Sequence, residues 1–381
     1  MKKLFGILSV MLCATSMSYA QADGIAALES SNVVMALNGA TKGKVIDSGS
    51  CGKNVNYELY DDYTLRIFGN GAMNDFYHTD GVVYAAPWGK DKDIYEKIKS
   101  VVIENGVTRI GEKSFCECTS LTAVTIPNSV TSIGEEAFRA CYALADITIP
   151  NSVTSIEWSA FYNCKALTKI NIPNSVKFIR SWAFNSCSSL AEVNLPNGIE
   201  TIEDGLFLGC SSLTHINIPN SVTIIEEDAF EHCSSLSEIN IPNSVTSIGR
   251  GAFYYCDKLK YVKIGENVKE IDVLAFPQDD DEDLVIEITS ETPAALRGAD
   301  SFGFLCTIYV PESALETYRN AKYWKDHADQ IMPKNYTTGI SSIGSEQSEK
   351  KTAIYDLQGH RVTEMQPNGI YIVNGKKIVM K

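Results

Sequence analysis

Cysteine is the residue type whose spacing first suggests chemistry in this chain. It recurs every 23 residues, at Cys118, Cys141, Cys164, Cys187, Cys210, Cys233 and Cys256. In stacked coils, equivalent Cα atoms would lie about 5 Å apart, which is within disulfide range. Zinc needs ligands that converge on one point, whereas a column spreads them along a line. Because the number of cysteines is odd, the pattern favours buried thiols acting as small apolar side chains over disulfides.

A second candidate for chemistry is the set Glu192, His215 and Glu238, which recur one repeat apart and should face outward in one column. Such a trio could bind a metal or support hydrolysis, but the step between coils and the absence of a second histidine argue against a metal site. His232 precedes Cys233, whose column is predicted to be buried and therefore unsuited to nucleophilic attack. The chain also lacks a nucleophile elbow, a phosphate loop and a zinc-protease motif. We predict no enzyme activity, no catalytic residues, no cofactor and no metal.

The chain is strongly acidic, with 33 Lys and Arg against 47 Asp and Glu. This charge argues against nucleic acid as a partner, because phosphate contacts require a basic surface. It also argues against binding to anionic membranes by charge alone. The acidic run at 279–283 lacks the spaced ligands and the glycine of a calcium loop, so a solvated loop is the better interpretation.

A repeat of 23 residues organises the centre of the chain, and a fixed period of this size indicates a solenoid with one structural unit per turn. Three further residue types share the period of the cysteines. They are Leu121, Leu144, Leu167, Leu190, Leu213, Leu236 and Leu259; Pro127, Pro150, Pro173, Pro196, Pro219 and Pro242; and Phe115, Phe138, Phe161, Phe184, Phe207, Phe230, Phe253 and Phe276.

Each repeat can be interpreted as one coil. In the unit that starts at Leu121, residues 121–126 end in the alternation of a strand, and Pro-Asn-Ser at 127–129 turns the chain. Residues 130–133 supply a short second strand, and 135–138 suit a single helical or 3₁₀ turn with Ala and Phe inside. We therefore predict an α/β-type repeat solenoid with a parallel inner sheet, short second strands, one-turn helices and a β-rich N-terminal cap.

A single coil cannot be stable alone. It would bury about seven apolar groups worth roughly 1.5–3 kcal/mol each, whereas ordering its backbone costs about 1–2 kcal/mol per residue. Neighbouring coils add hydrogen bonds and cover the open faces, so the array needs a cap at each end.

Two outward columns of the inner sheet are the predicted binding surface. One column changes chemistry from coil to coil, while the next carries mainly amides, which can hydrogen bond to protein backbone or to sugars. The first comprises Asp146, Lys169, Glu192, His215, Glu238 and Tyr261, and the second comprises Asn171, Asn194, Asn217, Asn240 and Lys263. An aromatic set near the predicted helical turns marks either a contact surface or packing between coils: Trp158, Tyr162, Trp182, Tyr254 and Tyr255.

The two ends of the chain have separate signals. Residues 1–20 have the basic start, short apolar stretch and small residues of a secretory leader, and no stretch approaches the roughly 20 apolar residues of a membrane helix. Residues 334–351 are typical of a linker. The tail at 352–381 has strand-like segments and a hairpin signal at Asn374-Gly375.

The repeat unit Leu-x-x-Ile-x-Ile-Pro-Asn-Ser-Val-Thr-Ser-Ile-Gly-x-x-Ala-Phe-x-x-Cys resembles the BspA-type leucine-rich repeats of bacterial surface proteins. The resemblance extends to Gly49-Ser50-Cys51-Gly52, to Gly69-Asn70-Gly71-Ala72-Met73 and to Pro87-Trp88, which are similar to the N-terminal cap of that family. It implies secreted or cell-surface proteins linked to adhesion. The tail segments 355–359 and 369–373 are similar to the C-terminal sorting tails of type IX secretion in Bacteroidota, although His360 replaces their usual arginine.

These observations predict a secreted or surface-displayed, outer-membrane-associated adhesin for host matrix or other cell-surface proteins of host or bacteria. A glycan-binding module, a purely structural surface protein and a hydrolase using Glu192, His215 or Glu238 are the alternatives. The predicted segments are a leader at 1–20, an uninformative stretch at 21–44, a cap at 45–100, repeats at 101–276, a degenerate repeat and cap at 277–333, a linker at 334–351 and a tail at 352–381.

Overall fold

The computed structural model describes residues 43–77, 86–89, 92–278, 284–303 and 305–334, together with the backbone of four strands between 354 and 379. The predicted leader, the acidic run 279–283, nearly all of the linker, and the residues His78 and His360 lie outside the described residues. Among the described residues, no helix combines the length and the apolar character needed to cross a membrane.

The described chain winds into stacked coils in which each coil contributes a strand to an inner row and a shorter strand to a second row. The predicted repeat solenoid is confirmed. The inner-row strands are Ser100–Ile103, Ala123–Thr125, Lys169–Asn171, Glu192–Asn194, Glu238–Ile241, Tyr261–Ile264, Val285–Ile288, Thr307–Pro311 and Ile331–Lys334. The second-row strands are Gly71–Ala72, Val107–Ile110, Ser132–Ile133, Ser155–Ile156, Phe178–Ile179, Thr201–Ile202, Ile224–Ile225, Ser247–Ile248, Glu270–Ile271 and Ala295–Leu296.

Parallel pairing holds the coils in a register of one repeat. Lys169 pairs with Glu192 and Glu238 pairs with Tyr261, each one repeat further along the chain. Because side chains alternate along a strand, this register keeps like positions on like faces of every coil.

The N-terminal end is closed by antiparallel strands, as the sequence predicted. Val45–Gly52, Val55–Tyr60 and Thr64–Gly69 form a meander whose third strand pairs in parallel with Ser100–Ile103. A 3₁₀ turn at Pro87–Gly89 and a short helix at Lys92–Tyr95 follow the meander. Antiparallel strands can end a parallel stack because short turns connect them without a further coil.

A continuous row of aromatic rings fills the core. The phenylalanines of successive coils stack with ring centroids 5.2–5.8 Å apart. The row continues past Phe276 to Phe302, although the chain between them is three residues longer than a repeat. Trp88 stacks on Phe115 at one end, and Trp324 packs against Phe302 at the other. Both caps therefore use an indole ring to cover the last exposed phenylalanine.

The one-turn helices predicted for each repeat are not present in the described coils. In the coil at 134–141, alternate N–H groups bond within the coil and to the next coil. Ala137 and Arg139 donate to carbonyls three residues back, whereas Glu136, Phe138 and Ala140 donate to Trp158, Ala160 and Tyr162 at 2.7–2.9 Å. A helical turn would keep all these bonds within one coil, so the observed turns exchange local bonds for bonds that join the stack.

This arrangement requires two left-handed residues per coil, such as Glu136 (φ 50°) and Ala140 (φ 57°). Only some coils have glycine there, so the others accept strain of about 1–2 kcal/mol per residue. The first left-handed column consists of Lys113, Glu136, Ser159, Trp182, Gly205, Asp228, Gly251 and Leu274. We call this column, together with the two residues that precede each of its members, the outer edge.

The C-terminal end closes with two further coils and short helices. The predicted closing helix from Ala314 to Trp324 is divided into three parts, because the chain becomes extended at Ala321 (ψ 155°). The parts are a 3₁₀ turn at Glu312–Ala314, an α-helix at Leu315–Asn320 and a 3₁₀ turn at Trp324–His327, after an earlier 3₁₀ turn at Ala299–Ser301.

The tail forms a separate antiparallel sheet in the order Arg361–Val362, Ile354–Asp356, Ile370–Val373 and Lys376–Val379. The last two strands pair as the predicted hairpin does, although its Asn374-Gly375 turn lies outside the described residues.

Removing one ring from the aromatic row should destabilise the array strongly. We expect Phe207→Ala to lower the free energy of unfolding by about 3–5 kcal/mol, since Phe207 is fully buried between two stacked rings. Phe178→Ala is the control, with an expected loss of about 1 kcal/mol or less, because that ring is 54% exposed. Urea unfolding measures both values, and equal losses would contradict the assignment of the row as core.

Asp228 should make the array less stable at neutral than at acidic pH. Burial, together with Glu231, Glu227 and Asp204, raises the pKa of this carboxyl to about 6. Because the folded pKa exceeds the unfolded one, the folding penalty is absent below about pH 4 and complete above the folded pKa. Asn tolerates the left-handed conformation, so Asp228→Asn should raise the Tm at pH 8 by ~2 °C and leave it unchanged at pH 4.

Thermal scans of both proteins from pH 4 to pH 8 test this expectation. Asp257→Asn, at an exposed position of the next coil, serves as the matched control. A gain for Asp228→Asn that is equal at pH 4 and pH 8 would mean that charge is not its cause.

Candidate functional site

The predicted binding residues all project from the inner row into solvent. Every side chain in the two predicted columns is exposed, while the residues between them are buried, for example Ile170, Val193 and Ile239. The alternation of the strands explains this division, because successive residues point to opposite faces. The structure thus brings the two columns side by side on one face, which we call the inner face.

The inner row is interrupted at two coils. Residues 144–149 and 213–218 follow the path of the row but have no regular strand, so the row is divided into three sheets. Asp146 and His215 therefore lie on the least regular parts of the inner face. His215 Nδ1 lies 3.1 Å from the hydroxyl of Thr214, a contact within its own coil.

The variable column carries both signs of charge without pairing them. Lys169 and Glu192 lie directly opposite each other in register, yet among the described residues no ion pair joins them or involves Asp146 or Glu238. These charges remain solvated and available to a ligand. A partner surface of mixed charge would complement them.

The amide column borders a shallow groove at the C-terminal half of the face. The groove has a volume of about 450 Å³ and is lined by Asn240 and Lys263 of the amide column and by residues of the Pro-Asn turns, Asn220, Pro242 and Asn243 among them. Its polar lining comes from amides, a hydroxyl and one lysine. Groups of this kind fix small polar ligands by hydrogen bonds.

A cluster that the sequence analysis did not identify ends the inner face. Glu287 is only 8% exposed, accepts a hydrogen bond of 2.6 Å from the Tyr261 hydroxyl and is paired with Lys334. Burial alone would raise the pKa of this carboxyl, but the bonds from Lys334 and Tyr261 outweigh burial and lower it. Glu287 pairs in register with Lys263, so extending the amide column by one strand could have identified it.

The cysteine column is a structural element of the core. All ten cysteines among the described residues are free and buried. Six thiols of the column donate to the carbonyl of a phenylalanine 26 residues earlier, as Cys187 does to Phe161 at 3.2 Å. Burial raises the pKa of Cys187 to about 12, so its thiolate is not available at neutral pH.

The histidines do not assemble a reactive centre in the described part of the chain. His232 stacks on Tyr255 with centroids 4.5 Å apart and points into solvent, whereas Cys233 is fully buried. His327 is buried in the C-terminal cap and contacts Gln330 and the carbonyl of Ala299. Within the described ranges, no three His, Cys, Asp or Glu side chains converge to hold a metal ion, and this includes Glu192, His215 and Glu238.

The chain is similar to several solved bacterial leucine-rich repeat proteins. One from Bacteroides ovatus is 22% identical, over 76% of this chain and 99% of that chain, with a TM-score of 0.41. The T. pallidum leucine-rich repeat protein is 31% identical, over 49% of this chain and 90% of that chain, with a TM-score of 0.38. A leucine-rich cell surface protein from Faecalibacterium prausnitzii is 24% identical, over 71% and 90% of the two chains, with a TM-score of 0.39.

No curated protein matched the chain. The model of the BspA type leucine-rich repeat region matches six copies, over residues 94–170 and 154–281. These ranges coincide with the stacked coils, the aromatic row and the cysteine column described above. The repeat array of this chain therefore belongs to the BspA-type leucine-rich repeat family.

Proposed function

We propose that this chain is a secreted or cell-surface repeat protein that works by binding other proteins through its inner face, as an adhesin. The observation that carries the proposal is the variable column. Its six exposed side chains include three acids, one lysine, one histidine and one tyrosine, whereas the adjacent column repeats asparagine in four consecutive coils. Surface variation confined to one column is what recognition of a specific partner would require.

The physical character of the inner face favours a protein partner. Its charges are of both signs and are not consumed by ion pairs within the array, so they can be matched by a partner of complementary pattern. Arrayed coils also give a long surface, which suits an interface of about 800 Å² per partner.

Binding also fits the family better than catalysis does. Leucine-rich repeat proteins generally act without enzymatic chemistry, and the thiols and histidines of this array are occupied in packing. Surface display and the predicted leader supply a location in which an adhesin would meet its partners.

Changing the variable column should abolish capture of the partner without unfolding the protein. We expect Lys169→Ala, Glu192→Ala and Glu238→Ala together to weaken binding by at least about tenfold, because contacts near the centre of an interface dominate affinity. The probe is a panel of purified extracellular matrix proteins on beads, and biolayer interferometry measures the affinities.

The control combines Lys177→Ala, Glu200→Ala and Asp257→Ala, which also removes one lysine and two acids at exposed positions away from the inner face. It should bind like the unchanged protein. Equal weakening by both variants, or no saturable binding to any protein of the panel, would overturn the adhesin proposal.

A glycan-binding module is the second candidate, favoured by the groove beside Asn240 and Lys263. If sugars occupy this groove, Asn240→Ala should abolish capture on a glycan array while leaving capture of proteins unchanged, because the lost amide hydrogen bonds would leave sugar hydroxyls unpaired. Asn151→Ala is the control, since it removes an exposed amide several coils away. Sugar binding that survives Asn240→Ala would exclude the groove.

A further inference from the structure

The outer edge carries a strong excess of carboxylates on the side of the coils away from the inner face. Its three columns contain nine acids and three bases in the repeats from Gly111 to Leu274. The acids are Glu112, Glu135, Glu136, Glu157, Glu203, Asp204, Glu226, Glu227 and Asp228. Stacking places successive members of each column about 5 Å apart, so these charges reinforce one another along the edge.

Each base of the outer edge is already paired. Lys113 bonds to Glu112 at 2.9 Å, Arg180 to Glu203 at 3.5 Å and Arg250 to Glu227 at 3.3 Å. Among the described residues, no basic group pairs with Glu135, Glu157, Asp204, Glu226 or Asp228. The remaining negative potential is therefore directed at solvent.

Two tryptophans lie in the middle of this edge. Trp158 and Trp182 contact each other with ring centroids 5.1 Å apart at 37°, and Trp158 is 36% exposed. Trp182 Nε1 donates to Asp204 Oδ1 at 3.3 Å. The indole ring occupies the space above Gly205, where a Cβ atom would lie 2.2 Å from it. Glycine in the next coil thus allows the ring of Trp182 to lie flat across the edge.

Coil stacking does not require these tryptophans. Trp182 occupies a left-handed position (φ 61°) that other coils fill with glycine, serine, aspartate or leucine, and the column of Trp158 contains serine at 181. A bulky ring in a strained position needs a reason other than packing. The aromatic row of the core runs separately through the phenylalanines, so the tryptophan pair belongs to the surface.

We propose that the outer edge is a second binding surface, for a segment of another protein rich in arginine and lysine. One cationic side chain would lie over the Trp158–Trp182 pair, and its neighbours would pair with the free carboxylates on both sides. Aromatic rings attract cations most strongly when the cation stacks on indole, and arginine does so best. The carboxylates exclude anionic partners by the same electrostatics.

This surface is independent of the inner face. The variable column is of mixed charge, and it lies on the strands, whereas the outer edge lies on the turns and is almost wholly of one sign. A partner could occupy each surface without displacing the other. The proposal therefore does not depend on the adhesin function, and the two can fail separately.

The test uses the full chain and a fluorescein-labelled peptide in which arginine alternates with serine over twelve residues. Fluorescence anisotropy measures its affinity. Trp158→Ser and Trp182→Gly introduce the residues that neighbouring coils carry at these positions, so both variants should fold. We expect each to weaken binding at least tenfold, while raising the salt concentration weakens binding of the unchanged protein.

Tyr255→Asn is the matched control, because it replaces an exposed ring of the turns by the residue found at 163 in the same column. It should bind as tightly as the unchanged protein, as should the triple variant of the inner face. Circular dichroism and the Tm confirm folding of each variant. Absence of peptide binding, or binding that depends on salt but is unaffected by both tryptophan substitutions, would overturn the proposal.

Discussion

Backbone hydrogen bonding between coils one repeat apart is the constraint on which the structure depends. On the strand sides, residues such as Lys169 and Glu192 pair in exact succession, and on the turn side alternate N–H groups cross to the next coil. Even the thiols join coils, since Cys164 donates to the carbonyl of Phe138. A coil therefore cannot shift relative to its neighbours without breaking bonds on every side.

The constraint determines where the sequence is free to change. Inward positions are fixed by the aromatic row and by the buried leucines and isoleucines, and the left-handed turn positions tolerate few residues without strain. Strand positions that face solvent have their backbone bonds satisfied by neighbours, so their side chains are unconstrained. The three extra residues between Phe276 and Phe302 show how an insertion is accepted, since the rings on either side still stack at 5.4 Å.

Much of this fold could be predicted from the sequence because the 23-residue period fixes the register, and the register fixes which residues share a face. The turn could not, since Ala137 and Phe138 fit inside either a helical turn or the observed left-handed turns. Only the glycines at 205, 209 and 251 indicate positive φ, and most coils have other residues there. Glu287 was missed because its strand follows the insertion, where counting by the repeat fails. The binding residues were placed on one face correctly, but their partner depends on a second molecule.

The separation of charge between the faces has a consequence for how such a protein could bind. On the inner face, lysine and acids alternate over short distances, so recognition depends on matching a pattern and not on net charge. On the outer edge, the like charges are close enough that burial and mutual repulsion raise the pKa of Glu135, Glu226 and Asp228. A cationic ligand would relieve that repulsion, so part of its affinity would come from the free state of the array. An anchored repeat protein with both surfaces could hold one partner by shape and pattern while a basic segment adds a second, salt-sensitive contact.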